Sequence, residues 1–387
     1  IPKYEELTAE AEAIIVAYEN NPVMQECAAE VLFGGTSADG KLPVSTGKYP
    51  QGSGIFIPEC RLGHAFPEEV DMDSRILSHI DSIVQEGIDS MAFPGCQIII
   101  TRHKKIIYDR AFGYFDYEKK HPVSTNDLYD LASITKAMGT LPAIMWLNDH
   151  EQVSLNAPLC FYLPEMRDYG LSAITLRQTL MHESGLPAGI SLRRLLIDPD
   201  SYSAPLLKRG RDSEYPIQVD KDWFVQKDCR LKPWLFHNKT SRSYPLHIAE
   251  ELYASPSLPD SIWHKILSVS KSDRRYRYSD LNFVILQKLT ERVSGEPLDR
   301  FIDRRLLQPI GAYHTTFRPR EKFPISDIAP TENDRLFRQQ LVVGYPHDEL
   351  ACFMGGVSGN AGLFSNARDM AKILQMLQNN GKYGLED

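Results

Sequence analysis

The sequence has no apolar run long enough to cross a lipid bilayer. Its longest apolar stretches, AIIVAY and CQIII, fall far short of the roughly 20 residues that a membrane-spanning helix requires. We therefore expect no membrane-spanning segment. No signal peptide is visible either, but the chain opens with Ile1 in place of methionine and resembles a piece of something longer.

A basic stripe is also missing. The formal net charge of the 387 residues is −8, and the local run KSDRRYR is short enough to be a solvated loop. Nucleic-acid binders neutralise phosphates with many lysine and arginine side chains. The charge balance therefore argues against nucleic acid as a partner.

Motifs for disulfides, metals, nucleotides and the α/β-hydrolase fold are absent. The six cysteines form no C-x-x-C pair, and a chain with 42% hydrophobic residues can bury a large core without disulfides, so we expect free thiols. The eleven histidines lack H-x-x-x-H and H-E-x-x-H spacing, and no Gly-x-Ser-x-Gly occurs. GTSADGKL departs from a phosphate-binding loop at Leu42, where Ser or Thr would hold magnesium. We expect no metal and no cofactor.

The first fifty-odd residues have the pattern of the end of an α/β unit. AIIVAYE predicts a buried strand, and NPVMQECAAEVLFGG predicts a helix with an asparagine cap, a proline at its first position and a glycine stop. VLFGG followed by DGKLPVS resembles the C-terminal end of the second domain of family 3 glycoside hydrolases. The resemblance implies that residues 1–57 are the remnant of an upstream glycosidase domain. That family's nucleophilic aspartate lies in a preceding barrel, so no glycosidase residue is assigned here.

A second domain is predicted over residues 73–387, after a linker at 58–72 that has two prolines and no periodicity. Its first helix, at 74–90, has Asp73 or Ser74 as cap. The apolar face of that helix is expected to contain Ile76, Ile80, Ile83, Val84 and Ile88.

Further elements follow along the second domain. Two strands, GCQIIITR and KIIYDRAFGYF, are predicted to form a hairpin that turns at His103 and Lys104. The clearest later helices are predicted at 281–293 and 367–378. Residues 190–270 are rich in proline, aspartate, serine and aromatic residues and give no assignment.

Candidate catalytic residues come from a Ser-x-x-Lys pattern, which the sequence contains three times. Ser45 and Lys48 lie among glycine and proline, which preclude a helix. Ser268 and Lys271 lie at the polar end of a short helix. Only the third pair, in YDLASITKAMGT, follows a turn-like segment and opens an apolar helical run.

The third pair, Ser133 and Lys136, fits nucleophilic catalysis. A serine at a helix start faces unpaired backbone N–H groups, which favour a developing oxyanion. A lysine three residues later lies on the same face, and burial can lower its pKa towards the range of a general base. The alternative is a capping serine followed by an exposed lysine.

A tyrosine supplies a second element of the candidate site. RYRYSDLNFVILQKL places Tyr278, Ser279 and Asp280 just before an apolar helix. The phenol of Tyr278 could relay a proton between serine, lysine and leaving group. The alternative is a tyrosine that packs over the helix N-terminus.

Five segments in order resemble the serine β-lactamase and D-alanyl peptidase superfamily, near its class C and esterase branch. These are GCQIIITRHKKIIYDRAFGYFD, LYDLASITKAMGTL, ITLRQTLMHESGLPAG, YRYSDLNFVILQKLTERVSGEPL and GGVSGNAGLFSNARDMAKILQML. The resemblance implies an α/β (α+β) fold, with an antiparallel sheet, flanking helices and a helical subdomain. It also implies that Ser133 is acylated, that Lys136 is its base partner and that Tyr278 is the relay. His182 could be a catalytic base, but the resemblance implies that it is a structural loop residue.

The sequence departs from the family pattern at three places. No Lys- or His-(Thr/Ser)-Gly strand follows residue 378, and the similar His314–Thr316 precedes that strand in relatives, so we expect a truncated chain with an incomplete sheet. Asp280 stands where many β-lactamases have asparagine, and a carboxylate there would repel the carboxylate of a substrate. Asn360 stands where we expect histidine. Ser279 and Asp280 are the expected substrate-binding residues.

The expected function is a serine hydrolase that acts through an acyl-enzyme on esters or D-amino-acid peptides and amides. The substrate would be a small molecule or a peptidoglycan fragment, in a bacterial periplasmic or extracytoplasmic setting implied by the resemblance. Two alternatives stay open: a catalytically silent module that binds muropeptides or a partner, and a scaffold that supports the glycosidase domain.

Overall fold

A computed structural model describes residues 11–203, 205–272 and 275–384. The helices are α1 (Pro22–Phe33), α2 (Ser74–Leu77), α3 (His79–Asp89), α4 (Leu141–Asp149), α5 (Leu176–Leu180), α6 (Arg193–Leu196), α7 (Leu258–Leu267), α8 (Asp280–Ser294), α9 (Leu298–Ile302), α10 (Gln308–Ile310), α11 (Glu349–Phe353) and α12 (Ala367–Gln378). The strands are β1 (Gly63–His64), β2 (Gly95–Arg102), β3 (Lys105–Gly113), β4 (Tyr129–Asp130), β5 (Leu207–Arg209), β6 (Ile217–Asp220), β7 (Trp223–Val225), β8 (Phe236–His237), β9 (Leu246–Ala249), β10 (Leu252–Ala254), β11 (Thr316–Phe317), β12 (Pro330–Asp334), β13 (Gln340–Val343) and β14 (Leu363–Ser365). Over the described part of the chain, no helix is long and apolar enough to span a membrane.

The chain forms two compact units. The first comprises the described residues of Ile1–Thr125 and Ala367–Asp387, and the second comprises those of Asn126–Asn366. The domain boundaries predicted at residues 57 and 72 both fall inside the first unit, and they stay a prediction.

The N-terminal segment confirms one prediction and corrects another. Helix α1 begins after Asn21, whose side chain accepts a hydrogen bond from the Met24 N–H, and it ends at Gly34 with a φ of 77°. The strand predicted from AIIVAYE is wrong: residues 13–19 form no strand, and Ile14 and Val16 are exposed. No strand among the described residues pairs with this stretch, so an apolar run alone could not form one.

The first unit is built on the predicted hairpin. Strands β2 and β3 pair antiparallel, and His103 and Lys104 both have positive φ, as a tight two-residue turn requires. Residues 58–72, the predicted linker, contain regular structure. Strand β1 within them pairs parallel to β3, and Val70 of a 3₁₀-helix at Pro67–Val70 is buried in the core of this unit.

The predicted helix at 74–90 is divided at Ser78 into α2 and α3, and Asp73 caps it as expected. The predicted apolar face is only partly right. Ile76 and Ile83 are two-thirds exposed, while Val84 is buried and Leu77 takes a buried position that we had not predicted. The apolar stripe follows helical spacing through residues 77, 80, 84 and 88, and positions 76 and 83 lie beside it.

The second unit is organised around α8, the predicted helix near 281–293. Nine of its residues are buried, which makes it the central element of this unit. Strand β4 pairs with β14, and β14 pairs with β11, so that segments far apart in sequence form one antiparallel sheet. This sheet places the turn after β4 beside the loop before β14.

Residues 190–270, which gave no assignment, contain two small sheets with strand orders β5-β7-β6 and β8-β10-β9. Their strands are two to four residues long. Strands this short have too few residues to show a period of two, which is why the sequence did not reveal them. All six cysteines are unpaired, as predicted.

Candidate active site

Ser133 lies on a sharp turn between β4 and a helix. Ala132, just before it, has a φ of 43°, which costs about 1–2 kcal/mol for a residue other than glycine. The Asp130 carboxylate holds this turn by accepting a hydrogen bond from the Ala132 N–H at 2.8 Å. Ser133 itself is exposed. The turn therefore presents the serine hydroxyl to solvent on a braced backbone.

Lys136 is buried directly beneath this serine. It begins a π-helical turn at Lys136–Thr140 that continues into α4, and 7% of its side chain is exposed. Its Nζ donates to Ser133 Oγ at 2.9 Å and to the Asn360 carbonyl oxygen at 2.8 Å. Asp280 Oδ1 lies 2.7 Å from the same Nζ, as an ion pair rather than a well-directed hydrogen bond. The lysine therefore donates two hydrogen bonds, and the Asp280 carboxylate pairs with its charge.

The other two Ser-x-x-Lys pairs are arranged differently. Ser268 Oγ donates to the Lys265 carbonyl oxygen, while Lys271 Nζ donates to that of Gly170. Ser45 Oγ accepts from the Gln51 N–H. The structure therefore joins serine to lysine in the pair that the sequence argument selected.

Asp280 is the first residue of α8, and its N–H donates to the Ala188 carbonyl oxygen. Sequence reasoning placed this carboxylate against a substrate. The structure brings it to Lys136, with 30% of its side chain still exposed, and its contact with a substrate stays a prediction. The two side chains form a close ion pair, in which the lysine is buried and the carboxylate is partly exposed. Asp280 therefore pairs with Lys136, and its own carboxylate remains accessible to solvent.

Tyr278 reaches the same ammonium through its ring. The Lys136 Nζ lies over the Tyr278 ring, 5.1 Å from its centroid, and 5.8 Å from that of Phe283. Cation–π contacts of this kind further stabilise a desolvated ammonium. Tyr278 is 44% exposed. The structure thus brings the predicted tyrosine to the pair, and the relay role of its hydroxyl stays a prediction.

Ser279 lies at the start of α8, next to Asp280. It is fully buried, and its hydroxyl donates to the Pro187 carbonyl oxygen at 2.6 Å. Its side chain fixes the start of α8 to the 182–188 loop. The hydroxyl is thus engaged within the protein, and the substrate-binding role predicted for Ser279 stays a prediction.

His182 connects that loop to the start of α8. Its Nδ1 accepts from the Ser279 N–H at 3.1 Å and lies 3.2 Å from Asn282 Nδ2, so the ring is neutral with its proton on Nε2. Burial, assisted by the nearby Lys136 charge and opposed by Asp280, lowers the pKa of His182. The ring also packs 4.7 Å from that of Tyr278. These contacts fit the structural role that the family resemblance implies.

Acid should destabilise the protein through His182. Because the folded-state pKa lies below the unfolded value near 6.5, the stability contributed by the neutral ring is present above that value and is lost as the pH falls below it. We expect the wild-type Tm to fall between pH 7.5 and 5.0 by a few degrees more than that of His182→Gln, measured by calorimetry. His264→Gln, on the exposed side of α7, should follow the wild type. Parallel Tm curves for wild type and His182→Gln would contradict this assignment.

Asn360 is a site residue whose role the sequence did not reveal. It is buried, its carbonyl accepts from Lys136, and its side chain accepts from Ser358 Oγ and donates to Asp348. Gly359 allows this placement, because a Cβ at that position would lie 2.1 Å from the Phe283 carbonyl oxygen of α8. The only sequence signal was the glycine-rich run GGVSGNAG.

The segment His314–Thr316, which resembles the third family motif, leads into β11 of the sheet that also contains β14 and β4. Thr315 and Thr316 are buried, and β11 pairs with β14. The His314 ring stacks on that of Phe323.

Comparison with known proteins shows the family to which the chain belongs. The Beta-lactamase family model matches residues 80–386, so the chain belongs to the Beta-lactamase family. A protein of Salmonella schwarzengrund named "Putative D-alanyl-D-alanine carboxypeptidase" is 29% identical over 345 residues, which cover 83% of this chain and 68% of that protein. The predicted mixed α/β, β-lactamase-like fold is confirmed.

Two solved structures share the fold. The octameric penicillin-binding protein homologue from Pyrococcus abyssi matches with a TM-score of 0.51 and 23% identity, over 80% of this chain and 58% of that one. A class C β-lactamase from Rhodobacter sphaeroides matches with a TM-score of 0.50 and 17% identity, over 80% and 67%. The chain therefore spans somewhat over half the length of the first of these.

Proposed function

We propose that the chain is a serine hydrolase that works through an acyl-enzyme, with Ser133 as nucleophile and Lys136 as its base partner. The observation that carries the proposal is the 2.9 Å hydrogen bond between an exposed serine on a braced turn and a buried lysine. Membership in a family whose named relatives include a carboxypeptidase and β-lactamases supports the same reaction class.

The acylation step uses the groups around Ser133 in turn. The Ser133 oxygen forms a bond to the substrate carbonyl carbon, its proton passes to the neutral form of Lys136, and the carbonyl oxygen becomes an oxyanion. The Ser133 N–H has no acceptor among the described residues and is free to donate to that oxyanion. Collapse then expels an alcohol or amine, which takes a proton relayed from Lys136 through the Tyr278 hydroxyl.

We propose that Asp280 limits the substrates. Its carboxylate is ion-paired with Lys136 but partly exposed, so a substrate carboxylate near the reacting bond would meet like charge. Neutral esters, and D-amino-acid peptides or amides that keep their carboxylate away from this point, should react best. A peptidoglycan fragment is the proposed natural substrate, because the Salmonella relative carries the name of a D-alanyl-D-alanine carboxypeptidase.

Replacement of Asp280 by asparagine should relax this selection. The side chain keeps its size, loses its charge and gains an amide donor. Repulsion between unit charges near a protein surface exceeds ~1 kcal/mol, so we expect KM for a penicillin to fall about tenfold. KM for p-nitrophenyl acetate, which is neutral, should stay within about twofold. Equal changes for both substrates would show that Asp280 does not select by charge.

The reaction class is tested by hydrolysis assays on the chain itself. We expect slow turnover of p-nitrophenyl esters and of a D-alanyl-D-alanine peptide, each with an acyl adduct visible by intact-mass spectrometry after acid quench. Turnover of none of these, with no adduct from a fluorophosphonate, would overturn the proposal.

A catalytically silent binding module is the second candidate, and the Asp280–Lys136 ion pair favours it. An ammonium held by a carboxylate at 2.7 Å cannot accept the serine proton until it loses its own. This candidate requires muropeptide binding by calorimetry that is unchanged in Ser133→Ala, together with the absence of any ester hydrolysis.

We further propose that the parent protein has a family 3 glycosidase domain upstream and works outside the bacterial cytoplasm. The support is the GKLPV loop after α1, together with the exposed apolar side chains of α1, none of whose residues is buried. The gene sequence upstream of Ile1 tests this directly, because a barrel domain of that family should be encoded there.

A further inference from the structure

One dipeptide, His347–Asp348, touches the supports of both reactive side chains. It lies just before α11 in the second unit. His347 follows Ser133 by 214 residues (347 − 133), and Asp348 follows Lys136 by 212 residues (348 − 136). Neither residue contacts the serine or the lysine directly. Each bonds instead to a residue that holds one of them.

The first link runs to the serine. Asp130 Oδ1 accepts from the Ala132 N–H and so holds the turn of Ser133. The other oxygen, Oδ2, accepts from the His347 N–H at 2.6 Å and from Thr331 Oγ1 at 3.0 Å. Both oxygens of Asp130 are therefore used, and the nucleophile turn is tied to the backbone of residue 347.

The second link runs to the lysine. Asp348 Oδ1 accepts from Asn360 Nδ2 at 2.9 Å, while the Asn360 carbonyl accepts from Lys136 Nζ. Ser358 Oγ donates to Asn360 Oδ1, so the amide is held at both ends. The same Asp348 oxygen caps α11 by accepting from the Ala351 N–H at 2.7 Å, which fixes the carboxylate to a helix.

We propose that His347–Asp348 is a clamp that sets the distance between Ser133 Oγ and Lys136 Nζ, with Asp130 and Asp348 as positioning residues for acylation. Adjacent residues of one chain cannot separate, so the two supports move together. A misplacement of reacting groups by about 1 Å can cost roughly 100-fold in rate. The inference rests on the proposed function for its kinetic arm and on geometry alone for its spectroscopic arm.

Two substitutions of Asp348 separate the clamp from the helix cap. Asp348→Ser keeps a capping hydroxyl for the Ala351 N–H but is too short to reach Asn360. Asp348→Asn keeps an acceptor for both donors and removes the charge. Asp198→Ala is the control, since Asp198 is also a buried capping aspartate of the second unit but has no link to the pair.

The kinetic arm measures inactivation of the full chain by a fluorophosphonate. We expect the maximal rate to fall about 10- to 100-fold in Asp348→Ser with the half-saturating concentration within about twofold, and Asp348→Asn to recover most of the rate. Asp130→Asn has only one oxygen, so its NH₂ group faces the His347 N–H and cannot accept from it. Its inactivation rate should fall as in Asp348→Ser. Asp198→Ala should keep the wild-type rate.

The spectroscopic arm follows the Lys136 ammonium by NMR of protein labelled with ¹⁵N at lysine, assigned by its loss in Lys136→Met. An ammonium that donates two hydrogen bonds and pairs with a carboxylate exchanges its protons slowly and gives a visible signal. This signal should vanish in Asp348→Ser and persist in Asp348→Asn. An unchanged signal and rate in Asp348→Ser would overturn the clamp. A lost signal in a protein whose wild type is never acylated would uphold the clamp and reject the proposed hydrolase.

Discussion

Replacement of Ser133 by alanine should abolish covalent labelling by fluorophosphonates and lower ester turnover by up to about 10⁶-fold, to the uncatalysed background. The effect is this large because the acyl-enzyme has no other oxygen to form on, and removal of a nucleophile costs as much as removal of its whole catalytic group. Ser133 is exposed and its hydroxyl contacts only the lysine among the described residues, so the change should leave Tm within a few degrees. Intact-mass spectrometry of wild type and variant measures the adduct.

Ser268→Ala is the matched control for this experiment. Ser268 also stands three residues before a lysine, but its hydroxyl donates to the Lys265 carbonyl oxygen. We expect full labelling of that variant. Labelling that persists in Ser133→Ala, or that is lost in Ser268→Ala, would assign the nucleophile elsewhere.

Replacement of Lys136 by methionine should lower the rate of Ser133 acylation about 10²- to 10⁴-fold, which is the usual contribution of a general base. Methionine fills a similar volume but offers no amine. It also leaves Asp280 without the ammonium that lies 2.7 Å from it, so some loss of stability accompanies the change. Stopped-flow acylation with p-nitrophenyl acetate measures the rate, and thermal unfolding measures the stability.

Lys136→Arg separates the charge of the lysine from its role as a base. A guanidinium keeps the charge beside Asp280 but cannot be deprotonated in a protein, so acylation should stay as slow as in the methionine variant while Tm recovers. Lys271→Met, in the Ser268 and Lys271 pair, should change neither the acylation rate nor Tm. Fast acylation in Lys136→Arg would show that the lysine acts only through its charge.

Local patterns in the sequence were enough for the elements that local contacts determine. The α1 caps, the hairpin turning at His103 and Lys104, and helices α8 and α12 all appear where they were predicted. Each depends on hydrogen bonds or side-chain contacts between residues close in sequence. The predicted strand at 13–19 failed because a strand needs a partner, and no local pattern reveals whether one exists.

The sequence by itself determined which serine and lysine lie on one face, because a spacing of three residues on a helical turn brings two side chains to the same side. Only the tertiary structure decided what surrounds them. Asp280, Asn360 and the His347–Asp348 clamp come from segments up to 224 residues away. The 2.6–2.9 Å contacts that join them arise only when α8, β4 and the loop before β14 pack together. Contacts at such separations leave no periodicity in a single sequence, so they become visible only in the folded chain.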